Sequence, residues 1–172
     1  KIIIDNLNEH KPDLVGLNCL FSGVFPDLLK LAKIVKSHSP HVKIVIGGMH
    51  ATTFTKDILT NCNDIDYIAL GEGEKAIVAL AASVKAKNEN LLSSIKSFAY
   101  RDKDGVIKIN READYVEDLD SLPMPAWDLI NLKEFEMKLD HYYNPRNIPI
   151  KHRAYVYASR ACPCVCNFCD IF

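Results

Sequence analysis

Cys162-Pro163-Cys164-Val165-Cys166-Asn167-Phe168-Cys169 gathers four of the chain's six cysteines into eight residues. Cys162, Cys166 and Cys169 stand at C-x3-C-x2-C spacing. Three thiolates this close can hold three corners of a cubane iron–sulfur cluster and leave the fourth iron without a protein ligand. An open iron can bind and reduce a small molecule instead of only relaying electrons. Zinc is the rival reading, but structural zinc usually takes two separated cysteine pairs so that the chain can wrap a tetrahedron, and four ligands within eight residues would be strained. Cys164 is the extra thiol: as a fourth ligand it would close the cluster, and with Pro163 fixing the backbone before it we read it as pointing away.

The elements that must position this loop begin far upstream. Asp13–Leu20 is nearly continuously apolar and reads as a buried strand. Pro26 suits the first turn of a helix whose apolar face is Leu28, Leu29, Leu31, Ala32, Ile34 and Val35. Val42–Ile46 and Asp66–Leu70 are two further strands, separated by a short helix over Thr55–Asn61 and followed by an Ala-rich helix to about Lys87. Alternation of this kind predicts an α/β, Rossmann-like (flavodoxin-type) parallel sheet with helices on both faces. Residues 1–10 read as the end of a helix, with a strand stub over Ile2–Ile4 as the alternative. Residues 98–109 carry alternating patterns around Asp102-Lys103-Asp104-Gly105 and predict a β-hairpin. The stretch after it, rich in proline, reads as a linker with one short helix around 132–139 and a His141-Tyr142-Tyr143 surface segment. Ala154–Ala158 then alternates like the strand that delivers the cysteine loop. The expected organisation is a sheet domain over 1–90, hairpin and linker over 91–150, and the start of a second domain over 151–172.

Five of the seven glycines (Gly23, Gly47, Gly48, Gly71, Gly73) fall at or just past the carboxyl ends of the three strands, which decides where a ligand is expected. In an open parallel sheet those ends share one edge, and ligands bind there. Glycine lets backbone amides approach a bulky ligand closely. Gly47-Gly48-Met49-His50-Ala51-Thr52 and Gly71-Glu72-Gly73-Glu74 would line one pocket with Ser22 and Gly23. No phosphate-loop pattern occurs, and Gly71-x-Gly73 lacks the third glycine of a dinucleotide fingerprint. Glu72 and Glu74 would repel a phosphate but complement a helix dipole, so a hydroxyl- and amide-rich ligand fits better.

The totals exclude other classes. A formal net charge of −1 gives no electrostatic case for nucleic acid. No apolar run approaches the roughly 20 residues of a membrane span. Crowded cysteines without a secretion signal point to metal binding in a reducing cytoplasm.

Taken in order, Leu17–Gly23, Gly47–Thr52, Leu70–Glu74, Leu122-Pro123-Met124-Pro125-Ala126-Trp127 and Ser159-Arg160-Ala161-Cys162-Pro163 resemble the B12-binding-domain-containing radical SAM proteins. The resemblance covers essentially the whole chain. It implies a cobalamin-binding Rossmann-like domain followed by a radical SAM barrel, with cobalamin near Ser22, Gly23, Gly47, Gly48, His50, Ala51, Thr52, Gly71, Glu72, Gly73 and Glu74. It also implies a [4Fe–4S] cluster on Cys162, Cys166 and Cys169, and S-adenosylmethionine chelating the remaining iron beside Phe168. In that family an electron from the cluster generates a 5′-deoxyadenosyl radical that abstracts hydrogen, and methyl-cobalamin can supply a methyl group. A small-molecule or peptide substrate and an electron donor such as flavodoxin or ferredoxin are the partners implied. No Asp-x-His-x-x-Gly occurs, so no histidine is assigned as lower cobalt ligand. The chain starts at Lys1 and stops three residues after Cys169, so we expect a first sheet strand before Lys1 and barrel strands beyond Phe172. The alternative function is a non-catalytic corrinoid or tetrapyrrole module whose cysteine loop is inert or binds zinc.

Overall fold

The computed structural model describes residues 1–129 together with Ser159, Arg160, Cys162, Cys164, Cys166, Asn167 and Phe168. The expected helix around 132–139, the His141-Tyr142-Tyr143 segment, the strand at 154–158 and Cys169 lie outside them. Two compact units are present, Lys1–Leu119 and Asp120–Phe172.

In the first unit the chain runs α1 (Ile2–His10), β1 (Leu14–Asn18), α2 (Phe25–His38), β2 (Lys43–Gly47), α3 (Met49–Thr53), α4 (Thr55–Asn61), β3 (Tyr67–Ala69), α5 (Glu74–Ala86), β4 (Phe98–Arg101) and β5 (Ile107–Asn110). The five strands lie in sequence order in one sheet. β1, β2 and β3 are parallel, as the strand–helix alternation requires. The hairpin forms where expected and is stitched on antiparallel, with Ala69 opposite Phe98 and Tyr67 opposite Tyr100. Its polar turn is drawn together by Asp102, whose carboxylate accepts the amides of Asp104 and Val106 at 3.0 and 2.9 Å.

The strand period of two sorts the core into two layers. Ile44, Ile46, Ile68 and Ala99 face a layer built with Leu7 of α1, Leu28, Ala32 and Val35 of α2, and Ile58 and Leu59 of α4. Val45, Tyr67, Ala69 and Phe98 face the other way, onto Ala76 and Leu80 of α5 and onto Leu92 and Ile95. A parallel sheet covered on both faces is the arrangement that long apolar strands demand. α1 and α5 both stop at a lysine in the left-handed region, Lys11 at φ 43° and Lys87 at φ 51°.

A polar clamp fixes the amino ends of β2 and β3. The Asp66 carboxylate accepts the Ile44 amide at 2.7 Å and the Lys36 ammonium at 2.6 Å, and Lys36 also donates to the Val42 carbonyl at 2.8 Å. Next to it Tyr67 lies buried, its ring 5.7 Å from that of Phe98. Burial, reinforced by the Asp66 and Glu89 carboxylates, pushes the Tyr67 phenol from 10 up to about 12. A phenol held neutral in the folded state adds stability that is whole below pH 10 and disappears as pH rises through 12. We therefore expect an alkaline stability loss on the order of 2 kcal/mol over that window. Urea melts of the wild type and Tyr67→Phe across the window check it: the wild type should fall more steeply, and parallel curves would refute the assignment.

Candidate functional site

Because β1, β2 and β3 are parallel, their carboxyl ends share one edge, and three loops leave it in succession. The middle loop is the tightest. Gly48 follows β2 at φ 99° and ψ 173°, a region open essentially to glycine alone. A Cβ there would sit 2.7 Å from both the Asn18 Oδ1 and the Cys19 carbonyl oxygen. The backbone is that close because the two loops are sewn together: the Cys19 amide donates to the Gly47 carbonyl at 2.7 Å, and the His50 amide donates to the Cys19 carbonyl at 3.2 Å. Cys19 itself is fully buried, and burial pushes its thiol pKa up, so it is a core residue.

α3 then starts at once, a short helix that the apolar spacing does not predict. It sends His50 towards the β1 loop, where Nδ1 lies 2.9 Å from the Ser22 hydroxyl. The imidazole is flanked by the rings of Phe25 at 4.6 Å and Phe54 at 4.8 Å. Its Nε2 is buried without a hydrogen-bond partner among the described residues. Ala51 turns fully into the core. The Thr52 hydroxyl donates to the Gly48 carbonyl and accepts the Gly71 amide, both at 3.0 Å.

On the third loop Gly71 adopts φ 58° with open space where a side chain would project, and Gly23 on the first loop is equally open. Glu74 opens α5, where an acid complements the helix dipole. The Glu72 carboxylate accepts the Val116 amide at 3.1 Å. Lys75 adds an ion pair to Asp114 at 2.7 Å and a bond to the Tyr115 carbonyl at 2.8 Å, so residues 114–116 are strapped beside this loop. The structure thus brings Ser22, Gly23, Gly47, Gly48, His50, Thr52 and Gly71 to one edge. It turns Ala51 inward and engages Glu72 with the strap.

Sequence reasoning missed the apolar rim. Leu20 and Phe21 on the loop after β1 and Met49 at the start of α3 are all exposed, Phe21 at 68%. Large side chains left in water beside open backbone are an unsatisfied surface, and their presence in glycine-bearing loops was the signal available. Open glycine backbone beside an apolar rim suits a bulky ligand with an apolar face. The opposite end of the sheet also holds a cleft, about 340 Å³, lined by Lys43, Asp66, Tyr67, Tyr100, Arg101 and Lys103. Its principal charges are consumed internally: Asp66 in the clamp, Arg101 on backbone carbonyls. The glycine edge is the better candidate.

In the second unit Cys162, Cys164 and Cys166 are exposed thiols, and Phe168 is 93% exposed. Among the described residues no helix is long and apolar enough to cross a membrane.

The parallel-dominated sheet with its glycine loops has the fold of a B12-binding Rossmann-like domain, and residues 1–81 match the family model described as the B12 binding domain. Among curated relatives the chain is 28% identical, over 97% of its own length and 34% of the other, to cytidylyl-2-hydroxyethylphosphonate methyltransferase of Streptomyces wedmorensis. It is 30% identical to the anaerobic magnesium-protoporphyrin IX monomethyl ester cyclase of Synechocystis sp., over 97% of this chain and 31% of that one. The solved structure of the cobalamin-dependent S-adenosylmethionine radical enzyme OxsB with aqua-cobalamin and S-adenosylmethionine bound superposes with a TM-score of 0.62 at 23% identity, covering 74% of this chain and 17% of that one. That likeness shows a shared fold. The chain spans about a third of the length of these two curated relatives.

Proposed function

We propose that the chain is the cobalamin-binding and cluster-nucleating part of a radical SAM enzyme. The observation that carries this reading is the single edge on which open glycine backbone and an exposed apolar rim coincide. The corrin would lie against Leu20, Phe21 and Met49, with the open space at Gly23 and Gly71 letting it come close to the backbone. Ser22 is braced by His50 and presents its hydroxyl at the same edge. The thiolates of Cys162, Cys166 and Cys169 have the donor chemistry for three corners of a [4Fe–4S] cluster, and Phe168 would flank S-adenosylmethionine. When bound, these groups supply one-electron reduction and radical or methyl-transfer chemistry, while the protein supplies orientation and exclusion of water. The reaction proposed for the whole enzyme is methyl transfer or radical rearrangement on a small-molecule or peptide substrate, fed by flavodoxin or ferredoxin in a reducing compartment.

Two titrations test this. Hydroxocobalamin added to the chain should give saturable spectral change at one equivalent. Anaerobic loading with iron and sulfide should give a reduced-cluster EPR signal that shifts on adding S-adenosylmethionine and vanishes in Cys162→Ala, Cys166→Ala and Cys169→Ala. Cobalamin binding without any such signal would leave only a corrinoid module. No cobalamin binding would refute the edge assignment.

A further inference from the structure

His50 and Thr52 are two residues apart on α3 and reach in different directions. His50 bonds to Ser22 in the preceding loop, 28 positions back in the chain. Thr52 bonds to the Gly71 amide in the following loop, 19 positions on. Neither contact is needed to form α3, whose backbone turn is closed by the Thr52 amide to the Gly48 carbonyl at 3.0 Å. What the two side chains do is set the spacing of the three loops. Several features keep each bond in place. The imidazole is held between Phe25 and Phe54, and its distal nitrogen is buried, so in this arrangement it offers no ring nitrogen to a ligand at the surface. The Thr52 hydroxyl has one proton, and it is already spent on the Gly48 carbonyl. Gly71 has no side chain and a left-handed backbone in open space, and its amide is held by the Thr52 hydroxyl between a Leu70 amide bound to Ser97 and a Glu72 carboxylate bound to Val116.

We infer that α3 is a latch: His50 and Thr52 are positioning residues that hold the Ser22 and Gly71 loops at the separation the ligand edge requires, rather than residues that touch the ligand. The inference rests on the cobalamin reading for its purpose, and on geometry alone for the latch itself. Preorganising loops before binding lowers the ordering cost that binding must otherwise meet. A latch made of two side-chain bonds would act on affinity at a site that neither side chain contacts.

The test pairs Thr52→Val, which keeps the shape and removes both bonds, with Thr52→Ser, which keeps the hydroxyl. Amide exchange at Gly71 is followed in the chain without cobalamin, and hydroxocobalamin affinity is measured below the unfolding transition of every variant. Loss of one such bond should raise Gly71 exchange by roughly tenfold and weaken hydroxocobalamin by a similar factor, with serine restoring both to within about twofold. Ser22→Ala should leave Gly71 exchange at the wild-type rate, because it releases only the other arm. A Gly71 amide unprotected in the wild type, or a valine variant that binds and exchanges like wild type, overturns the latch. If the wild type binds no hydroxocobalamin, the functional reading fails, and Gly71 exchange still decides the latch by itself.

Discussion

Replacing Gly48 by alanine is expected to cost the first unit roughly 3 kcal/mol or more, the sum of backbone strain and forced overpacking. Two independent penalties meet at this position. The backbone dihedrals, φ 99° and ψ 173°, are ones an L side chain rarely adopts. The added methyl would also meet the Cys19 carbonyl oxygen and carbon at 2.7 and 2.8 Å. Neither atom can step aside, since the Cys19 carbonyl receives the His50 amide and its own amide is bound to Gly47. Thermal melts should show the midpoint falling by about 10 °C or more, at the few degrees per kcal/mol typical of a unit this size. Gly23→Ala is the comparison, because its Cβ would meet nothing within 4 Å and its melt should be close to wild type. If Gly48→Ala melts like Gly23→Ala, the tight junction between the β1 and β2 loops is wrong.

The second large effect is expected at Arg101, at the other end of the sheet. Its guanidinium donates to the carbonyls of Leu59 at 2.5 Å, Cys62 at 3.3 Å and Asn63 at 3.4 Å, and also to that of Ile65. These carbonyls line the stretch where α4 ends and the chain turns into β3, so one side chain on the hairpin closes a helix end. Truncation to Ala would leave part-buried carbonyls without their charged donor, and we expect a loss of about 3 kcal/mol. Lysine should recover only a part of it, since an ammonium cannot present a planar fork to several carbonyls at once. Urea unfolding would report this as a lower midpoint with an unchanged slope. A lysine variant as stable as wild type would mean that the fork geometry is unimportant.

Much of the frame could be read from residue order because apolar spacing changes sharply at each element. β1, β2 and β3 announced themselves as apolar runs with glycine at or just past their ends, and α2 and α5 by their spaced aliphatics. α3 stayed hidden for a physical reason: Met49-His50-Ala51-Thr52-Thr53 is one short turn with two β-branched residues, weak in propensity. It is helical because Gly48 redirects the chain and because threonine hydroxyls bond backward, Thr53 to Met49 and Thr55 to Ala51. The pairing of the hairpin with β3 is a long-range choice that no local pattern encodes, although full burial of both Phe98 and Ala99 on opposite faces is what it produces. At the candidate site the glycines were visible and their loops were expected together. The Ser22–His50 and Thr52–Gly71 links were not, because each joins residues whose neighbours in sequence give no sign of the other. Arg101 was silent for the same reason, reading only as the polar end of a strand.

The direction of the hairpin has a practical outcome. β4 runs down from the glycine edge, so its turn at Asp102–Gly105 emerges at the far rim, beyond the amino ends of β2 and β3. A fluorophore or affinity handle grafted between Lys103 and Gly105 would be kept from the loops of interest by the full height of the strands, on the order of 15 Å. Immobilised or tagged there, the molecule would present its glycine edge outward to whatever is added in solution.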